Sequence, residues 1–477
     1  MAPGLGRSRP PVVDPGAAST PRLLLDARRT YRGGREVIAA WQRARLAAAV
    51  AFARGHSPYY RELYAGLPER VEDASLLPVT TKATLMGRFD DVITDARVSR
   101  QGVEDFVADP ANIGVDFAGS YTVATTSGTT GTRGLFVIDG ATMSVVNAMA
   151  ARMITNWLRP NDGARIIAGG ARMAMVTAAG GHFASAAAAA RLRRSRRGAR
   201  RVRLFAVQTP LPELVAQLND FRPAILAPYA TTAALLATEA EAGRLHISPA
   251  LVALAAEGLA PGEQQRIAAA FGAKVGNSYA ATECPFLSYS CTHGWLHVNA
   301  DWVVVEPVDA QYRPTAPGEQ SHTVLITNLA NRIQPILRYD LGDSVLARPD
   351  PCECGNPLPA LRVQGRSADV LTFTSPDGSA VTITPLTLSA LVERIPGIEV
   401  AQIVQTTPAA LRVHLQPTAG ADSDQAWRQV STELTALFAA HGLEVALERG
   451  DDPPRPSAGG KYRLVQPLPP PSLPPGA

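Results

Sequence analysis

A chain of 477 residues, 46% of them hydrophobic and 18% charged, has the length and apolar content for about two or three globular domains. Its formal charge of +4 is too small to indicate a nucleic-acid partner, and no apolar run approaches the ~20 residues of a membrane span. The N-terminus has no apolar signal core and four cysteines make no disulfide framework, so a soluble, cytoplasmic protein is expected.

Residues 1–24 are rich in Pro, Gly, Arg and Ala without periodicity and are expected to form a disordered tail. From Arg35 to His56 the spacing of Val37, Ile38, Trp41, Leu46, Val50 and Phe52 predicts a helix. Ser57-Pro58-Tyr59-Tyr60 starts a second, short one. Leu77-Pro78-Val79-Thr80-Thr81-Lys82 is a turn whose threonine can cap the helix after it.

Tyr121 to Gly140 reads as a strand, a loop and a strand, with the loop spelled Thr125-Thr126-Ser127-Gly128-Thr129-Thr130-Gly131-Thr132-Arg133-Gly134. Glycines let backbone N–H groups approach phosphate oxygens and the hydroxyls add donors. The loop therefore suits a polyanion as well as it suits a plain surface hairpin. It is not a Walker A loop, because no Lys follows its glycines.

Beyond it the pattern predicts a helix near Ala141–Trp157, a buried strand at Arg165-Ile166-Ile167-Ala168, and an alanine-rich helix opened by Gly180-Gly181-His182-Phe183 and running to about Arg197. Eight arginines between Arg191 and Arg203 read as a solvated surface in preference to a rest for a phosphate-rich tail. Strand, helix and strand follow at Val202–Val207, Leu211–Asp220 and Ala224–Ala227, and Lys274 to Tyr279 is a further strand. This alternation argues for a parallel sheet with helices on its faces, which places ligands at the C-terminal strand ends, where Tyr279-Ala280-Ala281-Thr282-Glu283 lies. Arg338-Tyr339-Asp340-Leu341-Gly342-Asp343, Gly365-Arg366-Ser367-Ala368-Asp369 and Gly459-Gly460-Lys461-Tyr462-Arg463 come later, each weak alone. Near the end, strands at Val400–Gln405 and Leu411–Leu415 and a helix at Gln425–Ala440 form a smaller α+β unit before a Pro-rich tail over 469–477.

Taken in this order, the motifs resemble the adenylate-forming superfamily of acyl-CoA ligases and adenylation domains over roughly residues 35–465. Ser57-Pro58-Tyr59-Tyr60, the Leu77–Lys82 turn, Gly180-Gly181-His182 and Gly294-Trp295-Leu296-His297 are similar to its branch of phenylacetate–CoA ligases and coenzyme F390 synthetases. The resemblance implies an α/β fold: a large N-terminal domain with mixed and parallel sheets over 25–365, a hinge at 366–369, and a small mobile α+β domain over 370–468. It also implies ATP-dependent activation of a carboxylic acid, of aryl or arylacetic type, to an acyl-adenylate, followed by transfer to CoA.

The roles it implies fall on particular residues. Thr126, Ser127, Gly128, Thr129, Thr130 and Gly131 would hold the β- and γ-phosphates, with Arg133 adding a cation. Tyr279 would stack on adenine, and Thr282 and Glu283 would serve the α-phosphate and Mg²⁺, a hard cation that takes carboxylate oxygen. Asp343 would accept the ribose hydroxyls, Arg366 would lie beside them, and Lys461 would stabilise the charge of the displacement. Gly181 and His182 would line the acid pocket. Cys291, His297, Cys352 and Cys354 offer the composition of a closed Cys₃His zinc site, with His293 the competing imidazole and the branch pattern favouring His297. Cys284 reads as a small core residue.

Departures from the family pattern bear on the second half-reaction. Thr132-Arg133 stands where Pro-Lys is usual, Ala368 where the hinge usually has an Asp, and Ser375-Pro376-Asp377-Gly378, a hairpin turn, where the branch's Gly-x-Asn-Val-Phe-Pro loop lines the thiol channel. The acceptor is therefore open among CoA, an amine, a carrier-protein thiol and a hydroxyl, as is a homodimer. A nucleotide-binding protein without turnover is the alternative of another class; Glu283, Asp343 and Lys461 argue against it.

Overall fold

The computed structural model describes residues 11–126, 134–177, 182, 184–207, 209–255, 261–366, 369, 371–375, 378, 380–383, 388, 391–392, 395, 397–418, 420–455 and 463–468. The first helical stretch spans Thr20–His56, with Ser19 at its N-cap and Pro21 in its first turn, and is broken at Gly34 (φ 75°, ψ −170°), beyond which lies the helix expected from Arg35 to His56. It starts inside the stretch expected to be a disordered tail, and Val12 ahead of it is buried. Pro costs nothing at a first helical turn, where its missing N–H has no partner to lose, so a Pro-rich composition hid a helix start. Asp26 accepts from the Val12 amide, and the fully buried Arg45 bonds the Val12 carbonyl, Asp26 and the Asp301 carbonyl. The guanidinium also lies 3.7 Å from the Trp302 ring centre. This buried charge network ties the N-terminal segment to the body of the molecule.

The expected strand at Arg165–Ala168 is a helix instead, Pro160–Ala168, with Pro160 in its first turn and Asp162 accepting from the Arg159 amide. Ile167 is 77% exposed, so the apolar pair is not core. A four-residue apolar run cannot separate strand from helix by periodicity, and the start signal was the better guide. The alanine-rich helix also stops early, at Leu192, and Ser195 caps a second one, Arg196–Arg201, whose arginines are exposed.

Two strands, β1 (Thr122–Thr125) and β2 (Leu135–Ile138), form the hydroxyl-loop hairpin in the register Thr125↔Leu135. The main strands are β3 (Met173–Thr177), β4 (Val202–Ala206), β5 (Ile225–Pro228), β6 (Leu251–Ala255), β7 (Lys274–Ala281), β8 (Cys284–Ser290) and β9 (Leu296–Val298). Beyond them, β10 (Val303–Val308), β11 (Thr323–Asn328) and β12 (Tyr339–Asp340) make a small antiparallel sheet. With β13 (Asp343–Ala347) and β14 (Ala360–Arg366), the main strands form a nine-stranded sheet in the order β13-β14-β9-β8-β7-β6-β5-β3-β4. Strands β7, β6, β5, β3 and β4 are parallel and the others antiparallel, which is the mixed α/β arrangement expected. Val176, Leu226, Val252 and Leu254 pack on one face against Leu214, Leu218, Leu236, Ile267 and Phe271 from the connecting helices.

The C-terminal part has its own apolar cluster, from Leu371 to Val465. A hairpin of β15 (Leu371–Thr374) and β16 (Ala380–Ile383) precedes β17 (Ile398–Thr407), β18 (Ala410–Pro417), β19 (Ala446–Arg449) and β20 (Val465–Gln466). These last four form a sheet in the order β19-β18-β17-β20, and the helix Ser423–Ala440, capped by Asp422, buries Val430, Leu434 and Phe438. Among the described residues no helix is long and apolar enough to cross a membrane.

Candidate functional site

The site forms where β7 ends. The register Ala281↔Cys284 makes Thr282 and Glu283 the two residues of the turn into β8, with Thr282 half-buried and Glu283 7% exposed. The Asn328 side-chain amide donates to the Glu283 carbonyl at 3.0 Å, and the Tyr339 hydroxyl donates to its carboxylate at 2.9 Å. Burial raises the Glu283 pKa above the ordinary carboxylate value; its own backbone amide, the Tyr339 hydroxyl and the charge of Lys82 oppose that. A buried carboxylate with one hydroxyl donor keeps lone pairs for a hard cation.

Tyr279, earlier on β7, donates from its hydroxyl to Asp343 at 2.7 Å. Asp343 opens β13, directly after Gly342, whose φ of 76° turns the chain out of β12. Its cross-strand partner is Arg366, the last residue of β14, so the two residues expected at a ribose are neighbours in one ladder. The Arg338–Asp343 motif is itself clamped. Arg338 has a left-handed φ of 45°, its backbone amide donates to Thr327 and its guanidinium to the Leu77 carbonyl. A parallel bridge joins Thr80 to Tyr339, with Thr80 N–H donating to the Arg338 carbonyl and Asp340 N–H to the Thr80 carbonyl, both at 2.9 Å.

Thr126 stands at the mouth of the hydroxyl hairpin. Its amide donates to the Gly134 carbonyl and its hydroxyl accepts from the Gly134 amide at 3.0 Å, closing the base of the loop. Only glycine fits at 134, since a Cβ there would lie 2.6 Å from the Phe136 ring and 2.8 Å from the Thr126 hydroxyl. Ser127, Gly128, Thr129, Thr130, Gly131 and Arg133, like Gly181, Ala368 and Lys461, lie outside the described residues. His182 is buried; its carbonyl accepts from the Thr125 amide at 2.7 Å, which holds it beside β1. Its ring meets the Asp109 carbonyl and packs, tilted by 56°, beside the Phe106 ring.

One residue of this site escaped the sequence reading. Lys82, noted only as the end of a turn, points its ammonium at the Thr126 hydroxyl, 3.5 Å away. The available signal was composition: of the 46 Lys and Arg residues only three are lysines, Lys82, Lys274 and Lys461.

The sulfur and imidazole ligand atoms of Cys291, His297, Cys352 and Cys354 all lie within 4.8 Å of one another. Cys291 Sγ is 3.8 Å from Cys352 Sγ, and His297 Nε2 is 3.2 Å from Cys354 Sγ. Tetrahedral Zn–S bonds set neighbouring sulfurs about 3.8 Å apart, so the set fits a closed Cys₃His site. Two tight turns present the thiols, closed by Gly294 N–H to the Cys291 carbonyl and Gly355 N–H to the Cys352 carbonyl. His297 Nδ1 meets the Leu358 carbonyl at 2.9 Å, which leaves Nε2 facing the cysteines, and burial lowers its pKa toward the neutral, metal-binding form. His293 is outside this cluster, on the surface near Glu353. Cys284 is fully buried and belongs to the main core.

No protein-family model and no curated protein sequence matches the chain. Solved structures do, and they define the class of fold as that of the adenylate-forming acyl-CoA ligases. A 2-hydroxyisobutyryl-CoA ligase in its postadenylation state, in complex with 2-HIB-AMP, aligns with a TM-score of 0.66 and 22% identity over 91% of this chain and 89% of that one. The same ligase in an open conformation with 2-HIB-AMP and CoA aligns over 97% of this chain and 96% of that one, with a TM-score of 0.55 and 20% identity. At that identity the likeness establishes the fold.

Proposed function

We propose that the chain is an ATP-dependent, AMP-forming acid ligase that makes an acyl-adenylate and then a thioester with CoA. The observation that carries this is the joint arrangement of Tyr279 on Asp343 and of Tyr339 on the buried Glu283, at the C-terminal strand ends and beside the Thr126 hairpin. Tyr279 offers its ring to adenine, Asp343 and Arg366 serve the ribose, and Thr282 and Glu283 serve the α-phosphate and Mg²⁺. Residues 126–131 and Arg133 cradle the outer phosphates. The acid's carboxylate oxygen attacks the α-phosphorus, the α–β P–O bond breaks, and pyrophosphate leaves with the electron pair. In-line displacement asks the protein for positioning and charge neutralisation, the part given to Lys461.

His182 and Gly181 border the acid, which we assign to the aryl or arylacetic class on the branch resemblance. The large unit over 25–365 and the small one over 370–468 are joined at 366–369, and we assign the change of pose between half-reactions to that joint. Cys291, His297, Cys352 and Cys354 would hold Zn²⁺ as a structural ion, which would tie the turn after β8 to the connection between β13 and β14. A second acceptor class, an amine or a carrier-protein thiol, is favoured by one feature: β15 and β16 form a hairpin with Gly378 N–H on the Ser375 carbonyl where the branch's thiol-channel loop belongs.

Exchange of labelled pyrophosphate into ATP across a library of acids tests the first half-reaction, and product analysis with CoA, then with amines, tests the second. Acid-dependent exchange and a CoA thioester are expected; exchange with an amide as product would move the assignment to an amide synthetase.

A further inference from the structure

We propose that Lys82 is a phosphate-binding residue of the nucleotide site, contributing a cation to the polyphosphate of ATP and to the departing pyrophosphate. The inference rests on the acid-ligase reading and adds to it a residue from a separate N-terminal segment. An ammonium carries three donors. The Thr126 hydroxyl at 3.5 Å is the partner Lys82 has among the described residues, and none of the described carboxylates lies within ion-pair distance of it. The residue is half-buried, so its charge is partly removed from water without being neutralised.

Its position is set by backbone contacts, independent of its own charge. Thr80 exchanges hydrogen bonds with Arg338 and Asp340 on either side of Tyr339, and Thr81 caps the helix Lys82–Gly87 by accepting from the Thr84 amide. Lys82 is thereby anchored to the strand whose Tyr339 orients Glu283, and its charge favours the ionised form of that carboxylate. It sits between the start of the hydroxyl loop and the candidate Mg²⁺ ligand, where the charge of a leaving pyrophosphate would accumulate. The chain uses arginine for nearly every cation, with three lysines among 46 basic residues. A compact ammonium on a flexible stem acts as a point charge that follows a moving phosphate, which a planar guanidinium fork does less well.

The test compares MgATP, pyrophosphate, AMP and adenosine binding to full-length wild type, Lys82→Met and Lys82→Arg, with KM and kcat for exchange. Lys82→Met is expected to weaken MgATP and pyrophosphate by about ten- to a hundredfold, the span for a charged hydrogen bond, while AMP and adenosine stay within about twofold. Lys82→Arg is expected to recover part of the loss. Equal weakening of all four ligands, or no weakening of any, would overturn the assignment. Should Lys82→Met fail to fold, Lys82→Gln carries the same comparison. A wild type that binds none of the four would instead sink the nucleotide-site reading, and this inference with it.

Discussion

A carboxylate held out of water with a single hydroxyl donor weakens a fold when it ionises, and Glu283 is so placed. Burial raises its folded pKa above the unfolded value, so its cost to stability appears as pH climbs from the unfolded through the folded pKa and is full above both. Glu283→Gln removes that cost while the amide oxygen can still accept from Tyr339. Its thermal midpoint at mildly alkaline pH is expected about 1–2 °C above wild type, while exchange falls by about a hundredfold or more. A lower midpoint together with undiminished exchange would remove Glu283 from the site. Tyr339→Phe has the opposite logic: without its donor the carboxylate protonates more easily. The acid limb of the exchange rate is then expected to move to higher pH. A pH profile that coincides with wild type would show that Tyr339 does not act through Glu283. Lys461→Ala should abolish adenylate formation with ATP binding intact, because a cation at that segment is useful mainly in the transition state.

At the scale of elements, the thiol-bearing turns give the sharpest expectation. One zinc per chain should be found by elemental analysis and be lost in Cys352→Ser or Cys354→Ser, with a larger drop in thermal midpoint than in exchange rate. Metal-free wild-type protein of normal stability would refute this. The cysteine turns, the Thr126 hairpin and the Ser375–Gly378 hairpin were legible because each is a short run whose residue types dictate a local geometry. The parallel strands were legible from alternating apolar segments. The helix Pro160–Ala168 was not, since Ile166-Ile167 mimics a strand in any short window and its exposure is decided by what packs around it. The start of the first helical segment was hidden by proline in a first turn, and what holds Val12 down is Arg45, on the segment beyond the break at Gly34. Lys82 was missed for a related reason. Its meaning depends on the bridge between Thr80 and Tyr339, a tertiary contact with no local signature.

For the molecule as a whole, the apolar cluster from Leu371 to Val465 is separate from those of the larger part, which is the packing that a change of pose between two half-reactions would need. β14 ends at Arg366 and β15 begins at Leu371, and the stretch between them, where we place the pivot, carries Ala368 in the sequence. Proline at 368 fixes φ and removes an N–H. Ala368→Pro is expected to depress one half-reaction and spare the other; equal depression of both in a folded variant would place the pivot elsewhere. The most direct measurement is acid-dependent exchange of labelled pyrophosphate into ATP by the full-length protein. An acyl-adenylate-forming enzyme gives exchange that requires magnesium and a particular class of carboxylic acid, and that vanishes in Lys461→Ala. A folded wild type that binds MgATP yet shows no exchange with any acid of a broad library would contradict it.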